Sequence, residues 1–172
     1  MTDSGSNKHP ASDTPNHWLW NGERRDPGPV VVFDVDGVLS DATARQHFLK
    51  SDPPDRDGFF AACGEDTPIA DNVAIVDLVS PTTTVVLLTA RPLLAQERTV
   101  AWLKSHSIRW DLLIMRDTHR PKASAAFKAD NTEELRARGY DIQVAFEDDM
   151  RNVDVYREAG IPCVYIHSGY YD

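Results

Sequence analysis

Four aspartates stand in two close pairs, Asp34 and Asp36 in VVVFDVDGVLS (30–40) and Asp148 and Asp149 in VAFEDDM (144–150). The first pair ends an almost unbroken apolar run. Residues two apart on a strand point to the same side, so Asp34 and Asp36 leave the strand end together. Adjacent carboxylates repel and resist desolvation unless a positive charge sits between them. Four of them at one site form an all-oxygen ligand set that suits Mg²⁺, a cation that keeps several waters and takes one or two carboxylates plus a substrate phosphate. The first pair can also carry a covalent reaction. One carboxylate attacks phosphorus and the acyl phosphate hydrolyses, while the second protonates the departing alcohol and then activates water. Thr89, in TVVLLTAR (84–91), can donate a hydrogen bond to the phosphoryl group, and a lysine can offset the developing negative charge.

The elements that must position these groups alternate along the chain. VVVFDVD reads as a strand buried on both faces. Ile69, Val73 and Val76 fall at helical spacing, with a stop near Ser80-Pro81. TVVLLTA is a second strand, LLAQERTVAWLKSH a helix and DLLIMR a third strand. A longer helix over about 122–138 is ended by Gly139. IQVAFEDD, RNVDVYREAG and CVYIH complete the rhythm as strand, helix and strand. The expectation is an α/β, Rossmann-like fold with a central parallel sheet of about five strands and helices on both faces. Ligands of such sheets bind beyond the carboxyl ends of the strands, where Asp34, Asp36, Thr89, Arg91, Glu147, Asp148 and Asp149 fall. Residues 40–68 are too long for a plain connection and are expected to form a small helical cap insert over that edge. Residues 1–28, polar and without periodicity, read as a flexible tail before a domain over 29–172. The HWLW within the tail is the exception, docking on the body or on a neighbouring subunit.

At 172 residues the chain is one domain, and no run approaches the ~20 apolar residues that span a bilayer. With its polar start this gives a cytoplasmic expectation, with no membrane partner. Cys63 and Cys163 have no metal-ligand spacing and read as reduced thiols. The formal net charge of −9 argues against long, non-specific nucleic-acid binding, which needs many phosphate contacts, but not against a pocket that grips a strand end. Self-association is left open. His9, His17, His47, His106, His119 and His167 show no ligand spacing.

As an ordered set, DVDGVL, LLTAR, a lysine before the fourth strand and EDD after it resemble the four motifs of the haloacid dehalogenase superfamily of phosphatases. The resemblance covers most of the chain from residue 30. It implies Asp34 as nucleophile, Asp36 as acid/base and, through its main-chain oxygen, as metal ligand. It further implies Thr89 as phosphate-binding hydroxyl, and Asp34, Asp148 and Asp149 on the Mg²⁺ side. Lys128 and Lys122 both precede the fourth strand, and the family spacing favours Lys128. A looser resemblance is to the 3′-phosphatase domain of polynucleotide kinase-phosphatases. It rests on Arg45 eleven residues after Asp34, Arg91 directly after TA, the LLIMR strand, EDDMRNV, and the ending GIPCVYIHSGYYD. By it, Arg45 and Arg91 hold the substrate phosphate. There is no G-x-x-x-x-G-K-[ST] loop and hence no kinase half.

Each element taken alone has a plainer reading. D-x-D-G fits a turn or a calcium-loop fragment, Thr89 a capping hydroxyl, and Arg45 a solvated helix charge. Arg91 precedes Pro92 and fits a helix start. The SGYYD ending packs an edge, lines the site or joins an interface. The ordered set decides for an Mg²⁺-dependent phosphomonoesterase, and the looser resemblance, with a small insert that leaves the site open, directs the expectation to nucleotide or nucleic-acid 3′-phosphate ends. The alternatives are a phosphatase of a small metabolite or 5′-nucleotide, a phosphotransferase, and a non-catalytic phosphate- or partner-binding domain.

Overall fold

The structure, a computed structural model, describes residues 14–117 and 122–171. Its elements in chain order are β1 (Trp18–Trp20), β2 (Pro29–Phe33), β3 (Ser40–Asp41), α1 (Gln46–Leu49), α2 (Arg56–Ala61), β4 (Thr67–Pro68) and α3 (Ala70–Leu78). Then come β5 (Thr84–Pro92), α4 (Gln96–Ser105), β6 (Leu112–Arg116), α5 (Ser124–Ala137), β7 (Asp141–Glu147), α6 (Met150–Glu158) and β8 (Cys163–Tyr165).

Six strands form the main sheet in the order β1-β6-β5-β2-β7-β8. The five expected strands are all parallel, and β1 adds an antiparallel edge. From β2 the chain winds outward through β5 and β6, then crosses back to lay β7 and β8 on the other side of β2. The winding therefore reverses between β2 and β7. At that point the two flanking connections diverge and leave a crevice beyond the strand ends.

The period-two pattern of the strands builds both cores. Val30, Val32, Val86, Leu88, Leu112 and Ile114 pack with Phe127 and Leu135 of α5 and Tyr156 of α6. Val31, Phe33, Val85, Leu87, Leu113 and Met115 turn the other way, onto Val76 of α3 and Trp102 and Leu103 of α4. Successive strand residues face opposite sides, so an apolar run with no polar break is what a sheet covered on both faces requires.

The tail expected over 1–28 needs correction where it meets the body. Trp18 is buried, and its indole Nε1 donates to Asn131 Oδ1 at 2.9 Å. The Met115 amide donates to the His17 carbonyl at 3.0 Å. HWLW thus docks on its own domain, covering the free edge of β6, where unpaired backbone would otherwise be open to another chain. Residues 1–13, with His9, lie outside the described residues, as do His119 and Asp172.

Between Ser40 and Pro68 the chain leaves the sheet to form α1 and α2, closed at its base by the short β3–β4 ladder. Asp55 caps α2 by accepting from the Gly58 amide at 2.8 Å. Cys63 and Cys163 are free thiols. Among the described residues no helix is long and apolar enough to cross a membrane.

Candidate active site

The strand β2 stops at Phe33 because the chain turns there. The amides of Val38, Leu39 and Ser40 all point back at the Val35 carbonyl, so Asp34 and Asp36 sit on a tight loop at the mouth of the crevice. Gly37 makes this turn possible, with φ +79°. A Cβ there would stand 1.9 Å from Asp148 Oδ2, so the loop and the end of β7 are in close approach.

Asp34, Glu147 and Asp148 each bring a carboxylate oxygen within 4.8 Å of the others. Their situations differ. Glu147 is saturated: Oε2 accepts from Lys128 Nζ at 2.6 Å, and Oε1 accepts from the amides of Asp148 and Asp149 and from Asn152 Nδ2, each at 3.2 Å. Asp34 Oδ1 and both oxygens of Asp148 are buried and meet no donor in good geometry. Lys128 Nζ, fully buried, donates to the Leu88 carbonyl at 2.7 Å and stands 3.1 Å from Asp34 Oδ1. Lys122, the other candidate, is half exposed and paired with Asp130.

Burial is the chief cause that pushes the Asp34 carboxyl well above the usual range, with the Glu147 charge adding to it and Lys128 opposing. Burial likewise pushes Asp148 up to about 7, while Ser168 and the Lys128 charge pull the other way. For Lys128 burial works downward, but the charges of Asp34 and Glu147 prevail and hold it well above the ordinary lysine value. One ammonium therefore serves three carboxylates, of which Glu147 takes the larger share. The cluster remains short of positive charge. Two acids with orphaned oxygens and an all-oxygen donor set fit a small divalent cation.

Asp36 is treated in the opposite way. Its Oδ1 accepts from Arg91 Nε at 3.0 Å, from Arg91 Nη2 at 2.6 Å and from Arg45 Nη2. Against the burial that would raise it, these two guanidinium groups hold the Asp36 carboxyl below the usual range. Its Oδ2 accepts no bond among the described residues and is the position left for a proton.

Arg45 and Arg91, expected to hold phosphate, are 2% and 0% exposed and are turned onto acids. Besides Asp36 they share Asp66, which accepts from Arg45 Nε at 2.8 Å, Arg45 Nη2 at 2.6 Å and Arg91 Nη2 at 3.2 Å. Arg45 also stacks 4.1 Å over the Phe59 ring. Neither lines the cleft, because burial without a countercharge would be costly and Asp36 and Asp66 are the acids within reach.

Asp149, expected beside the metal, lines the cleft as Asp34 does; its side chain caps α6 and is paired with Arg151 at 2.7 Å, outside the cluster of three carboxylates whose third member is Glu147. The Asp36 side chain, committed to arginines, is not part of that cluster either. Thr89 is buried at the end of the β5 run with its hydroxyl accepting from the Arg91 amide at 3.2 Å, and it lines the cleft. His47 is exposed and bonded to the Ala44 carbonyl.

The cleft holds about 390 Å³, with Asp34, Asp36 and Thr89 on its wall. The remaining wall includes Lys50, Arg56, Phe59, Phe60, Arg116, Arg151, Tyr170 and Tyr171. The closing SGYYD thus lines the site over its described part, and the Tyr170 hydroxyl ties that segment to the insert, accepting from the Ala42 amide at 2.7 Å and donating to Asp41 Oδ1 at 3.0 Å. Sequence reasoning missed Asp66, Arg56, Arg116 and Arg151. Arg116, ending the LLIMR run, and Arg151, two residues beyond EDD at the start of a helix, carried a local signal.

A family model described as the polynucleotide kinase PNKP phosphatase domain matches residues 28–171. No curated protein matches the chain. Two solved structures of the Pnkp1/Rnl/Hen1 complex, the second described as an RNA repair complex, superimpose with a TM-score of 0.70 each. Identities are 24% and 21%, covering 87% and 90% of this chain and 48% and 47% of theirs. A class C acid phosphatase from Bacillus anthracis superimposes with a TM-score of 0.61 and 14% identity, over 86% of this chain and 69% of that one. At these identities the likeness speaks for the fold. The chain spans about half the length of the first two.

Proposed function

The chain belongs to the PNKP phosphatase domain family of the haloacid dehalogenase superfamily, and we propose that this phosphatase is an Mg²⁺-dependent phosphomonoesterase that clears 3′-phosphate from nucleotides or nucleic-acid ends through an aspartyl-phosphate on Asp34. One observation carries the reading. The orphaned oxygens of Asp34 and Asp148 converge beside a charged, buried Lys128, and Asp34 opens onto the cleft.

Asp34 and Asp148 would hold the cation, with the main-chain oxygen of Asp36 beside them. Bound there, the cation supplies positive charge that lowers both carboxyls and neutralises phosphoryl oxygens. Asp34, then ionised, attacks phosphorus as the bond to the ester oxygen breaks. The Asp36 carboxyl passes its proton to the departing alcohol. As a carboxylate, Asp36 next takes a proton from the water that attacks the phosphorus of the acyl phosphate, which releases phosphate and returns Asp34 to its ionised state. Lys128 offsets charge on the phosphoryl oxygens, and Thr89 donates to one of them. Arg45 and Arg91 serve Asp36: by saturating Oδ1 they fix the carboxyl so that only Oδ2 exchanges protons. Their role is positioning, in place of the direct phosphate grip expected from the sequence.

The substrate class draws support from the family and from the fold likeness to a chain of an RNA repair complex. The test is phosphate release, with Mg²⁺ and with chelator, from a 3′-phosphorylated oligonucleotide, a 3′-mononucleotide, a 5′-mononucleotide and an aryl phosphate. Asp34→Asn runs beside the native chain. Release from the 3′ substrates that vanishes with chelator and in the variant is the expected result. Release from the 5′-mononucleotide or aryl ester alone would move the assignment to a small-metabolite phosphatase, and no release from any would refute catalysis on this class.

A further inference from the structure

A second cavity, of about 590 Å³, adjoins the catalytic cleft and shares Arg56, Arg116, Ser124 and Arg151 with it. None of Asp34, Asp36 or Asp148 lies on its wall. It is therefore a place beside the chemistry and not part of it, and its size lies within the ~300–1,000 Å³ of ordinary ligand sites.

The shared wall is cationic, and its charges come from far apart in the chain. Arg56 opens α2 of the insert, Arg116 ends β6 at the catalytic edge of the sheet, and Arg151 stands in the first turn of α6. Arg151 is paired with Asp149 and lies 5.4 Å over the Tyr171 ring. Lys122, also on this wall, is paired with Asp130, and Asp117 has a partner of its own. No carboxylate among the described residues pairs with Arg56 or Arg116. Arg116 is half-buried, and its burial together with the Arg56 charge lowers its pKa. Two like charges held at one wall in a chain of net charge −9 are repulsive until an anion joins them. Planar guanidinium groups match phosphate oxygens in particular.

Resting on the 3′-end reading above, we propose that the second cavity seats a second phosphate, one nucleoside away from the scissile one, gripped by Arg56 and Arg116. A 3′-phosphorylated strand offers that phosphate as its last phosphodiester, and a nucleoside 3′,5′-bisphosphate offers it as a free monoester. The strand is the expected source, because the two cavities run together and the second gives the chain a way out of the cleft.

The experiment compares kcat/KM for a 3′-phosphorylated dinucleotide, a nucleoside 3′,5′-bisphosphate, a nucleoside 3′-monophosphate and an aryl phosphate. The proteins are the native chain, Arg56→Gln, Arg116→Gln and the remote surface variant Lys104→Gln. The native enzyme is expected to prefer the dinucleotide to the 3′-monophosphate by at least about tenfold. Each arginine variant is expected to collapse that ratio, with a flatter salt dependence for the dinucleotide, and Lys104→Gln to keep it. Arg56 is exposed, so its variant answers the question even where Arg116→Gln folds poorly. A ratio near one in the native enzyme, or one that survives in Arg56→Gln, overturns this seat while leaving the 3′-phosphatase intact. A bisphosphate preferred over the dinucleotide keeps the phosphate site but overturns the strand as its source. If no ester is hydrolysed, binding of a fluorescent 3′-phosphorylated oligonucleotide decides: it supports the seat if Arg56→Gln weakens it tenfold, and refutes the seat otherwise.

Discussion

Replacing Asp148 by Asn is expected to stabilise the metal-free protein while abolishing its response to Mg²⁺. Asp148 is 1% exposed, neither of its oxygens meets a good donor, and burial lifts its pKa from 3.8 to about 7. A raised acid pKa means that the folded state keeps a proton which the unfolded chain releases. Stability therefore falls as pH rises from about 4 through about 7. At about 1.4 kcal/mol per unit, the carboxyl costs roughly 4 kcal/mol at neutral pH. Asn carries no charge, but its buried amide needs partners that are only partly present, which returns about 1–3 kcal/mol of the gain. The net is about 1–3 kcal/mol, or roughly 2–12 °C in Tm for a chain of this length, at about 2–4 °C per kcal/mol. Differential scanning calorimetry in EDTA should find Asp148→Asn more stable than the native chain at pH 7, with the gap closing toward pH 5. Millimolar Mg²⁺ should then raise the native Tm and leave the variant where it was. A variant less stable than the native chain in EDTA at pH 7, or one that gains as much from Mg²⁺, would refute the reasoning that this carboxylate is held in strain for a cation.

Three further substitutions probe the same site. Asp36→Asn should lower turnover by about 10²–10⁴; because an aryl leaving group needs little proton donation, rapid-quench assays should show one equivalent of phenol released in a burst and a phosphorylated protein accumulating. Lys128→Met should leave Glu147 buried without its countercharge at a cost of about 3–5 kcal/mol. The added Glu147→Gln should recover part of the lost Tm, and no recovery would argue against a paired charge. Gly37→Ala should cost about 1–2 kcal/mol through its left-handed backbone alone and should also displace Asp148, so that Mg²⁺-stimulated phosphate release is lost even below the lowered Tm.

The residues most legible in the sequence are those fixed by a strand end. Asp34, Thr89 and Asp148 each follow a long apolar run, and parallel strands of one sheet deliver their carboxyl ends to one edge, so finding the runs locates the residues. Lys128 was legible as a spacing, because one face of α5 carries it back to the ends of β5 and β7. The partners of the arginines were not legible. Asp66 lies in GEDTP, which has no periodicity and no motif, and it meets Arg45 and Arg91 only because the β3–β4 ladder folds the base of the insert against the sheet. Without Asp66 in view, two arginines near a phosphatase motif read as phosphate ligands. With it, they form an internal network of two cations and two anions. Arg56 escaped for the same reason, and its pairing with Arg116, a strand-end residue sixty positions away, shows only once the folded insert brings both to one wall. The edge strand β1 is a three-residue element in a polar stretch, too short for a period to declare itself.

The two aspartates of the opening pair are two residues apart and are driven in opposite directions. Asp34, held by burial first and by the charges of three neighbouring acids, with a lysine shared with Glu147, is driven toward the protonated form. Asp36, between two guanidinium groups, is held toward the ionised form. The proposed chemistry needs the reverse: an ionised nucleophile and a protonated acid. Groups whose environments split their pKa values mark acid and base roles, and here the split set by the protein's own groups is inverted with respect to the proposed reaction. On the proposed mechanism, a divalent cation held by Asp34 and Asp148 would correct the first half by favouring their ionised forms. The substrate would correct the second, since an anionic phosphate beside Asp36 would offset the field of Arg45 and Arg91 and let Oδ2 keep a proton. The nucleophile would thus be armed only with the cation bound and the acid only with the ester seated. The tight arginine network around Asp36 would make this dependence possible, with Arg45 and Arg91 acting through Asp36.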